Sequence, residues 1–520
     1  MLDEPGAHSH NDQHRHSDND QEMVDILVIG GGINGAGIAR DAAGRGLSVI
    51  LCEKDDLAQG TSSRSGKLVH GGLRYLEYYE FRLVREALIE REVLLKNAAH
   101  IIWPMRFVLP HSADDRPAWL VRLGLFLYDH LGGRKKLPGT RVLNLTRAEE
   151  GIPLKDQFTK GFEYSDCWVD DARLVILNAL DAAHKGAQIR TRTACTAARR
   201  IDGHWQVDLH DLQTGKTDQV KSRALVNAGG PWVNSIIDSV NGSQSDRKVR
   251  LVKGSHIVVR KFWSGKQAYL VQNDDKRVIF INPYGGDNAL IGTTDIPYEG
   301  SPEDAIASEE EIRYLINAVN RYFKTELLEQ DVIQSFSGVR PLFDDGKGNP
   351  SAVTRDYVFD VEDHQGVPIL NVFGGKITTF RKLSEHALDK LVPYFPDMGK
   401  TWTREGVLPG GDFIDADFER FLKSVIQRYS WLPRELATHY ARLYGSNLHQ
   451  ILGESTSLAQ LGVCFGKQLY VAEVQYLIDN EWAMSSDDIL YRRTKHGLHM
   501  DAIEVTHLQS WFEDNYAFTT

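Results

Sequence analysis

Val24-Asp25-Ile26-Leu27-Val28-Ile29-Gly30-Gly31-Gly32-Ile33-Asn34-Gly35 is the stretch that decides how the rest of this chain is read. A short apolar run stops at a glycine cluster, and the Ala-rich residues 36–45 that follow have the texture of a helix. Residues 47–53 form a second apolar run, so the segment predicts a βαβ unit with two parallel strands. Gly30, Gly32 and Gly35 fit the spacing GxGxxG, with Ile33 and Asn34 between the last two. Glycines there permit a tight turn and let the backbone approach a pyrophosphate, while the helix start offers unpaired N–H groups and the positive end of its dipole. Glu53 closes the second run, where a carboxylate can accept hydrogen bonds from a ribose. Strand, glycines, helix and acid together predict a dinucleotide site.

Two later apolar runs also end in glycines: residues 224–228 lead into Gly229-Gly230-Pro231, and residues 369–373 into Gly374-Gly375. As parts of the same sheet they make the nucleotide domain discontinuous, and they tip the choice from NAD to the longer FAD. The turn Gly374-Gly375-Lys376-Ile377-Thr378-Thr379 precedes a helical pattern, so its N–H groups can meet the flavin edge that gains negative charge on reduction. Residues 60–75 are dense in hydroxyls, glycines and cations, which suits a diphosphate and a ribityl chain. The expected cofactor contacts are Gly30, Gly32, Ile33, Asn34, Gly35, Glu53, Thr61, Ser62, Ser63, Lys67, Leu68, His70, Gly72, Ala228, Gly229, Gly375, Lys376, Ile377 and Thr378.

The 520 residues are too many for one simple domain, and 42% hydrophobic with 25% charged is the composition of an ordinary globular protein. A net charge of −11 argues against a nucleic-acid partner and requires any anionic substrate to be met by a local cluster of cations. Cys52, Cys167, Cys195 and Cys464 form no CxxC pair, which predicts neither a disulfide framework nor a zinc site, and a reducing compartment. No apolar run is long enough to span a bilayer, and no secretory signal is visible. Residues 1–21 read as a polar tail whose His8, His10, His14 and His16 imply no ordered metal geometry. The expected division is a tail over 1–21, a FAD-binding domain over 22–80, 150–245 and 350–405, a substrate domain over 81–149 and 246–349, and a helical C-terminal domain over 406–520. Strand-like residues 255–259 and 278–281 predict an antiparallel sheet in the substrate domain.

The run from Ser62 to Glu77 resembles the signature of FAD-dependent glycerol-3-phosphate dehydrogenases. So do Gly161-Phe162-Glu163-Tyr164-Ser165-Asp166-Cys167, Lys253-Gly254-Ser255-His256, Gly292-Thr293-Thr294-Asp295, Ser337-Gly338-Val339-Arg340-Pro341 and Thr354-Arg355-Asp356-Tyr357, in the family's order and from about residue 23 to the C-terminus. Gly66 departs from the pattern, standing where many relatives carry Ser or Thr. The resemblance implies an α/β fold with a discontinuous Rossmann-like FAD domain of the glutathione-reductase/amino-acid-oxidase type, an α+β substrate domain and a helical C-terminal domain. It implies oxidation of sn-glycerol 3-phosphate to dihydroxyacetone phosphate, by hydride transfer from C2 to flavin N5. Electrons would pass to a membrane quinone from a cytoplasmic enzyme peripheral on the inner face of the membrane; a homodimer is left open.

A phosphomonoester is best gripped by Arg forks and other charge-assisted donors. Arg74, Arg340, Arg355 and Lys376, with Tyr75, are the expected substrate contacts. His256 is the candidate base for the C2 hydroxyl, and Arg340 is placed to orient that hydroxyl and stabilise alkoxide charge. Residues 117–128, flanked by Arg116 and by Arg134, Lys135 and Lys136, read either as an interfacial helix or as a buried core helix. The competing functions are a soluble glycerol-3-phosphate oxidase using oxygen, an FAD amine or amino-acid oxidase, and a non-catalytic FAD-binding sensor.

Overall fold

A computed structural model describes residues 23–112, 115–134, 136–240, 245–344 and 356–516. Val24–Ile29 lies inside an eight-stranded sheet whose order runs Val358–His364, Val367–Phe373, Thr217–Asn227, Val24–Ile29, Val49–Cys52, Gln188–Arg190. From Val367–Phe373 to Gln188–Arg190 neighbouring strands are parallel, and Val358–His364 is antiparallel at the edge. Val24–Ile29 is buried along nearly its whole length because both faces are covered, which is why the sequence reads as a continuous apolar run rather than an alternation. On one face pack the helices Ile33–Gly44, Asp171–His184 and Phe380–Leu391 over Ile26, Val28, Val226 and Leu370. The other face is closed by the hairpin of Thr193–Ile201 and His204–Asp211, whose Trp205 is fully buried and donates through Nε1 to the Pro368 carbonyl at 2.9 Å.

The register sets the site. Ile29 pairs with Asn227 and Cys52, and Asn227 with Asn371. The glycines after all three apolar runs therefore emerge at the same carboxyl edge of the sheet, where open α/β sheets bind ligands.

A second, ten-stranded sheet runs Ile296–Pro297, Val249–Arg260, Asn288–Gly292, Val278–Tyr284, Ala268–Gln272, Ile102–His111, Lys160–Val169, Leu68–Val69. It contains the expected antiparallel strands around residues 255–259 and 278–281. Lys160–Val169 falls within residues 150–245, expected in the FAD domain, yet it pairs along ten residues with Ile102–His111 and belongs to this second sheet. The physical reason is its burial from Gly161 to Val169, which needs cover on both faces, and Arg91 and Tyr128 reach Asp166 within it.

Residues 412–516 form a helical unit around Phe421, Val425, Leu436, Tyr440, Leu452, Val474, Leu477 and Phe512, with one short hairpin, Cys464–Gly466 with Leu469–Tyr470. Buried charges join it to the sheet domain: Arg173 donates to both oxygens of Glu481 and to the Leu443 carbonyl, and Arg493 donates to Asp56. The helix Ala118–Leu131 buries only Leu125 and Tyr128 and exposes Trp119, Leu120, Leu123 and Phe126. Of the two readings of residues 117–128, the buried core helix is therefore excluded. No helix among the described residues is long and apolar enough to cross a membrane.

Candidate active site

A cavity of about 1180 Å3 opens at the carboxyl edge of the first sheet and reaches across to the second. Its floor is the glycine turn. Gly30 sits at φ +111°, and a Cβ there would lie 2.6 Å from the Ala228 carbonyl oxygen, so only glycine lets the first and third apolar strands approach. Gly35 does not face the cavity; its role is packing, since a Cβ would collide with the Gly30 carbonyl at 1.9 Å. Glu53 is half-buried and accepts from the Gly31 and Asp55 N–H groups at 2.6 and 2.9 Å. Loss of water around it pushes its carboxyl up, and those two donors offset only part of the push. Ser62 Oγ accepts from the Ile33 N–H at 2.9 Å, tying the hydroxyl-rich loop to the helix start. Asn34 Nδ2 donates to the Gly374 carbonyl at 3.1 Å, so the first and last glycine turns are linked directly.

These residues suit a bound FAD. Buried side-chain atoms of two cavity-lining residues stand without a protein partner: Asn34 Oδ1 in the glycine turn and His256 Nδ1 in the second sheet. Buried polar atoms are ordinarily paired, and a polar ligand running from the first sheet to the second supplies such partners.

Most expected contacts line the cavity: Gly30, Gly32, Ile33, Asn34, Glu53, Thr61, Ser62, Leu68, His70, Gly72, Ala228, Gly229, Gly375, Lys376, Ile377 and Thr378. Two do not. Lys67 is buried with its ammonium on both oxygens of Asp171, each at 2.9 Å, and on the Ser63 carbonyl at 3.0 Å. Its N–H donates to Ser65 Oγ and its carbonyl accepts from Val169, so no polar group of Lys67 is left for a cofactor. Ser63, half-buried, lies off the cavity lining, with its N–H donated to the Ala58 carbonyl and its own carbonyl taken by Lys67. Both are corrected from cofactor contacts to supports of the loop.

The chemistry-bearing side chains come from the second sheet. His256 lies on Val249–Arg260, which pairs with Asn288–Gly292 on one side and Val332–Phe343 on the other; opposite it are Gly292 and Phe336. A Cβ on Gly292 would meet His256 Cδ2 at 2.1 Å, so that glycine makes room for the ring, which stacks on Phe336 at 5.1 Å. Burial, then the nearby Arg340 and Lys67, hold His256 down to about 3. The imidazole is therefore neutral near pH 7, with a low proton affinity in the empty cavity.

Arg340 projects from the neighbouring strand across Gly254, where a Cβ would strike its Nη2 at 2.3 Å. Nη1 donates to Asp295 at 2.7 Å, and Nη2 to Thr293 Oγ1 at 3.0 Å and to the Thr294 carbonyl at 3.2 Å. Asp295 and Thr293 thus aim the guanidinium. No spacing rule links residue 295 to residue 340; the pairing of both segments with Val249–Arg260 does. Arg74, half-buried, lies 3.4 Å from the Tyr78 hydroxyl, and Lys376 Nζ sits 4.1 Å over the Tyr75 ring. Arg74, Tyr75, Arg340, Lys376 and His256 all line the one cavity. Arg355 lies outside the described residues.

Comparison with known proteins agrees with this geometry. Residues 25–381 match the model of the FAD dependent oxidoreductase family, and residues 401–507 match the C-terminal domain of alpha-glycerophosphate oxidase. The chain is 52% identical to the aerobic glycerol-3-phosphate dehydrogenase of Escherichia coli, over 94% of this chain and 97% of that one. This chain belongs to the family of FAD-dependent oxidoreductases that includes the glycerol-3-phosphate dehydrogenases. It is 66% identical to the D-erythritol 1-phosphate dehydrogenase of Brucella abortus, over 95% of this chain and 98% of that one. A solved glycerol-3-phosphate dehydrogenase from Bacillus halodurans, complexed with FAD, superposes with a TM-score of 0.73 at 26% identity, over 95% of this chain and 94% of that one. The enzyme is a flavoprotein with FAD as its cofactor.

Proposed function

We propose that this enzyme oxidises the secondary alcohol beside the phosphomethyl group of a short polyol phosphate. With glycerol 3-phosphate the product is dihydroxyacetone phosphate. The observation that carries the reading is the meeting, in one cavity, of a glycine-built nucleotide cradle with His256, Arg340, Arg74 and Lys376. Bound FAD supplies the hydride acceptor. The chain supplies position and field. Arg74 and Lys376, with Arg355, hold the phosphate. Arg340, fixed by Asp295 and Thr293, orients the reacting hydroxyl and stabilises charge on its oxygen. His256 accepts the proton at Nε2, the nitrogen nearer Gly66. Burial first, then Arg340 and Lys67, keep it neutral beforehand; the substrate's phosphate dianion offsets the field of the two cations and raises its proton affinity as the two meet.

A four-carbon substrate, D-erythritol 1-phosphate, is the second reading. Two observations favour it: identity is higher to the erythritol-phosphate enzyme than to the glycerol-phosphate enzymes, and Gly66 leaves the space beside His256 unfilled. Adding each polyol phosphate anaerobically and following the flavin band near 450 nm (about the value for oxidised flavins generally) tests both. The substrate with the larger kcat/KM is the assigned one, and an unbleached flavin with both would overturn the reading.

Electrons then leave to a membrane quinone. Tyr78, Tyr79 and Phe81 beside the cavity mouth and the apolar face of Ala118–Leu131 are exposed, and residues of both segments line the cavity. Arg116, Arg122 and Lys136 supply positive charge around that face; Lys135 lies outside the described residues. Such a surface suits shallow insertion into anionic lipid on the cytoplasmic side. Quinone reduction on vesicles, set against peroxide production in solution, separates this acceptor from oxygen.

A further inference from the structure

Outside the lining of the flavin cavity, three segments of the C-terminal unit bring His439, Glu473 and His496 together. They lie on the helix Arg434–Tyr444, in the first turn of the helix Val471–Glu481, and in the short turn His496–Leu498. One ligand atom from each lies within 4.8 Å of the others. His439 Nε2 is 2.8 Å from Glu473 Oε1, and the two imidazole rings are 4.6 Å apart. Glu473 is fully buried, and His496 nearly so. Glu473 Oε2, His496 Nε2 and the hydroxyl of the adjacent Tyr440 are buried without any hydrogen-bond partner. A buried carboxylate oxygen and a buried imidazole nitrogen both left unpaired in one cluster call for a shared partner.

We infer that His439, Glu473 and His496 form a binding site for a divalent transition-metal ion, zinc first, which staples the C-terminal helices together. Two imidazoles and one carboxylate are a donor set zinc takes, with a water in its fourth position. Ligand atoms around tetrahedral zinc stand about 3.3 Å apart, within reach of small rotations of these side chains. Neighbours support the site. Tyr444 donates its hydroxyl to Glu473 Oε1 at 2.6 Å, the kind of outer contact that fixes a metal-bound carboxylate. Cysteine spacing gives no hint of this site, because its ligands are 34 and 23 residues apart in sequence and carry no motif.

The test uses the full-length holoenzyme, chelator-treated and then dialysed against buffered zinc, beside the variants His439→Gln and His496→Gln. The histidine-rich tail is present in all three, so its zinc cancels in the comparison. Wild type is expected to hold one equivalent more zinc per chain than either variant. Zinc at a hundred-fold excess over its dissociation constant should raise the unfolding midpoint of wild type by about 2–3 °C and leave the variants unmoved. Flavin reduction by substrate should be the same in all. His439 is partly exposed, so His439→Gln keeps the test alive if the buried His496→Gln fails to fold. Equal zinc content and equal midpoint shifts in wild type and His439→Gln would overturn the site, leaving a buried His–Glu pair.

Discussion

Gly66 is the position at which a single atom group should decide substrate length. Its backbone is not in the left-handed region, so glycine is not demanded by conformation. Its surroundings do not demand it either: a Cβ would touch only His256 Nε2, at an ordinary 3.7 Å. The carbonyl of Gly66, accepting from Asn282 Nδ2 at 3.3 Å, holds the backbone in place. Gly66→Ser therefore folds without strain and puts a hydroxymethyl group beside the proton acceptor, in the volume where an extra CHOH of a four-carbon substrate would lie. One added or missing carbon in a fitted pocket is worth about 1–3 kcal/mol, or roughly 10- to 200-fold. We expect Gly66→Ser to lower kcat/KM for D-erythritol 1-phosphate by about that factor while changing it less than about threefold for glycerol 3-phosphate. The same assay on Gly66→Ala, which adds the methyl alone, should give an intermediate ratio. Stopped-flow reduction of the flavin measures both substrates on one preparation. An unchanged ratio of the two kcat/KM values in Gly66→Ser would refute the assignment of this space to the substrate.

Other perturbations reach different parts of the molecule. Arg340→Ala removes the donors aimed by Asp295 and Thr293 and should cost about 100- to 1000-fold in kcat, read as the rate of flavin reduction at saturating substrate. Arg74→Ala should raise KM with a smaller change in kcat, because a phosphate contact acts alike in ground and transition states. His100 and His256 are both held near 3 by burial, against an ordinary 6.5 when unfolded. Below pH 6.5 the unfolded chain takes up protons that the folded chain refuses. Stability is therefore full above 6.5 and lost as pH falls toward 3, by about 1.4 kcal/mol per pH unit for each histidine. His100→Phe should flatten the midpoint's pH dependence by one proton, and an unaltered slope would contradict it. Trp119→Ser with Phe126→Ser should weaken vesicle binding and quinone reduction but leave flavin reduction in solution intact.

The glycine turn, the acid at Glu53 and the three glycine-ended strands were legible in the sequence because each has a local cause: backbone approach, dipole, burial on both faces. His256 and Arg340 could be named through the family resemblance, but what orients them could not. Asp295 reaches Arg340, and Gly292 admits His256, only through strand pairing across 36 to 45 residues, and no local pattern encodes such distances. Lys67 misled for the opposite reason. A cation in a loop rich in hydroxyls looks like a phosphate ligand until the fold places Asp171 against it.

That same aspartate gives the C-terminal unit a structural role toward the flavin site. Asp171 holds Lys67 and Ser65 of the cofactor loop. Its neighbour Asp170 caps the helix Asp171–His184 and binds Lys495 of the C-terminal unit at 2.8 Å, and Arg173, one turn on, is locked to Glu481. One helix start therefore fastens the loop under the flavin to the domain behind it. Removing one partner of a buried pair leaves the other charge uncompensated and costs about 3–5 kcal/mol. Glu481→Gln should accordingly destabilise the C-terminal unit, and through Asp170 and Asp171 should also loosen FAD binding, although Glu481 lines no part of the cavity. Lower thermal stability with an unchanged FAD dissociation constant would show that the two ends of this helix start act independently.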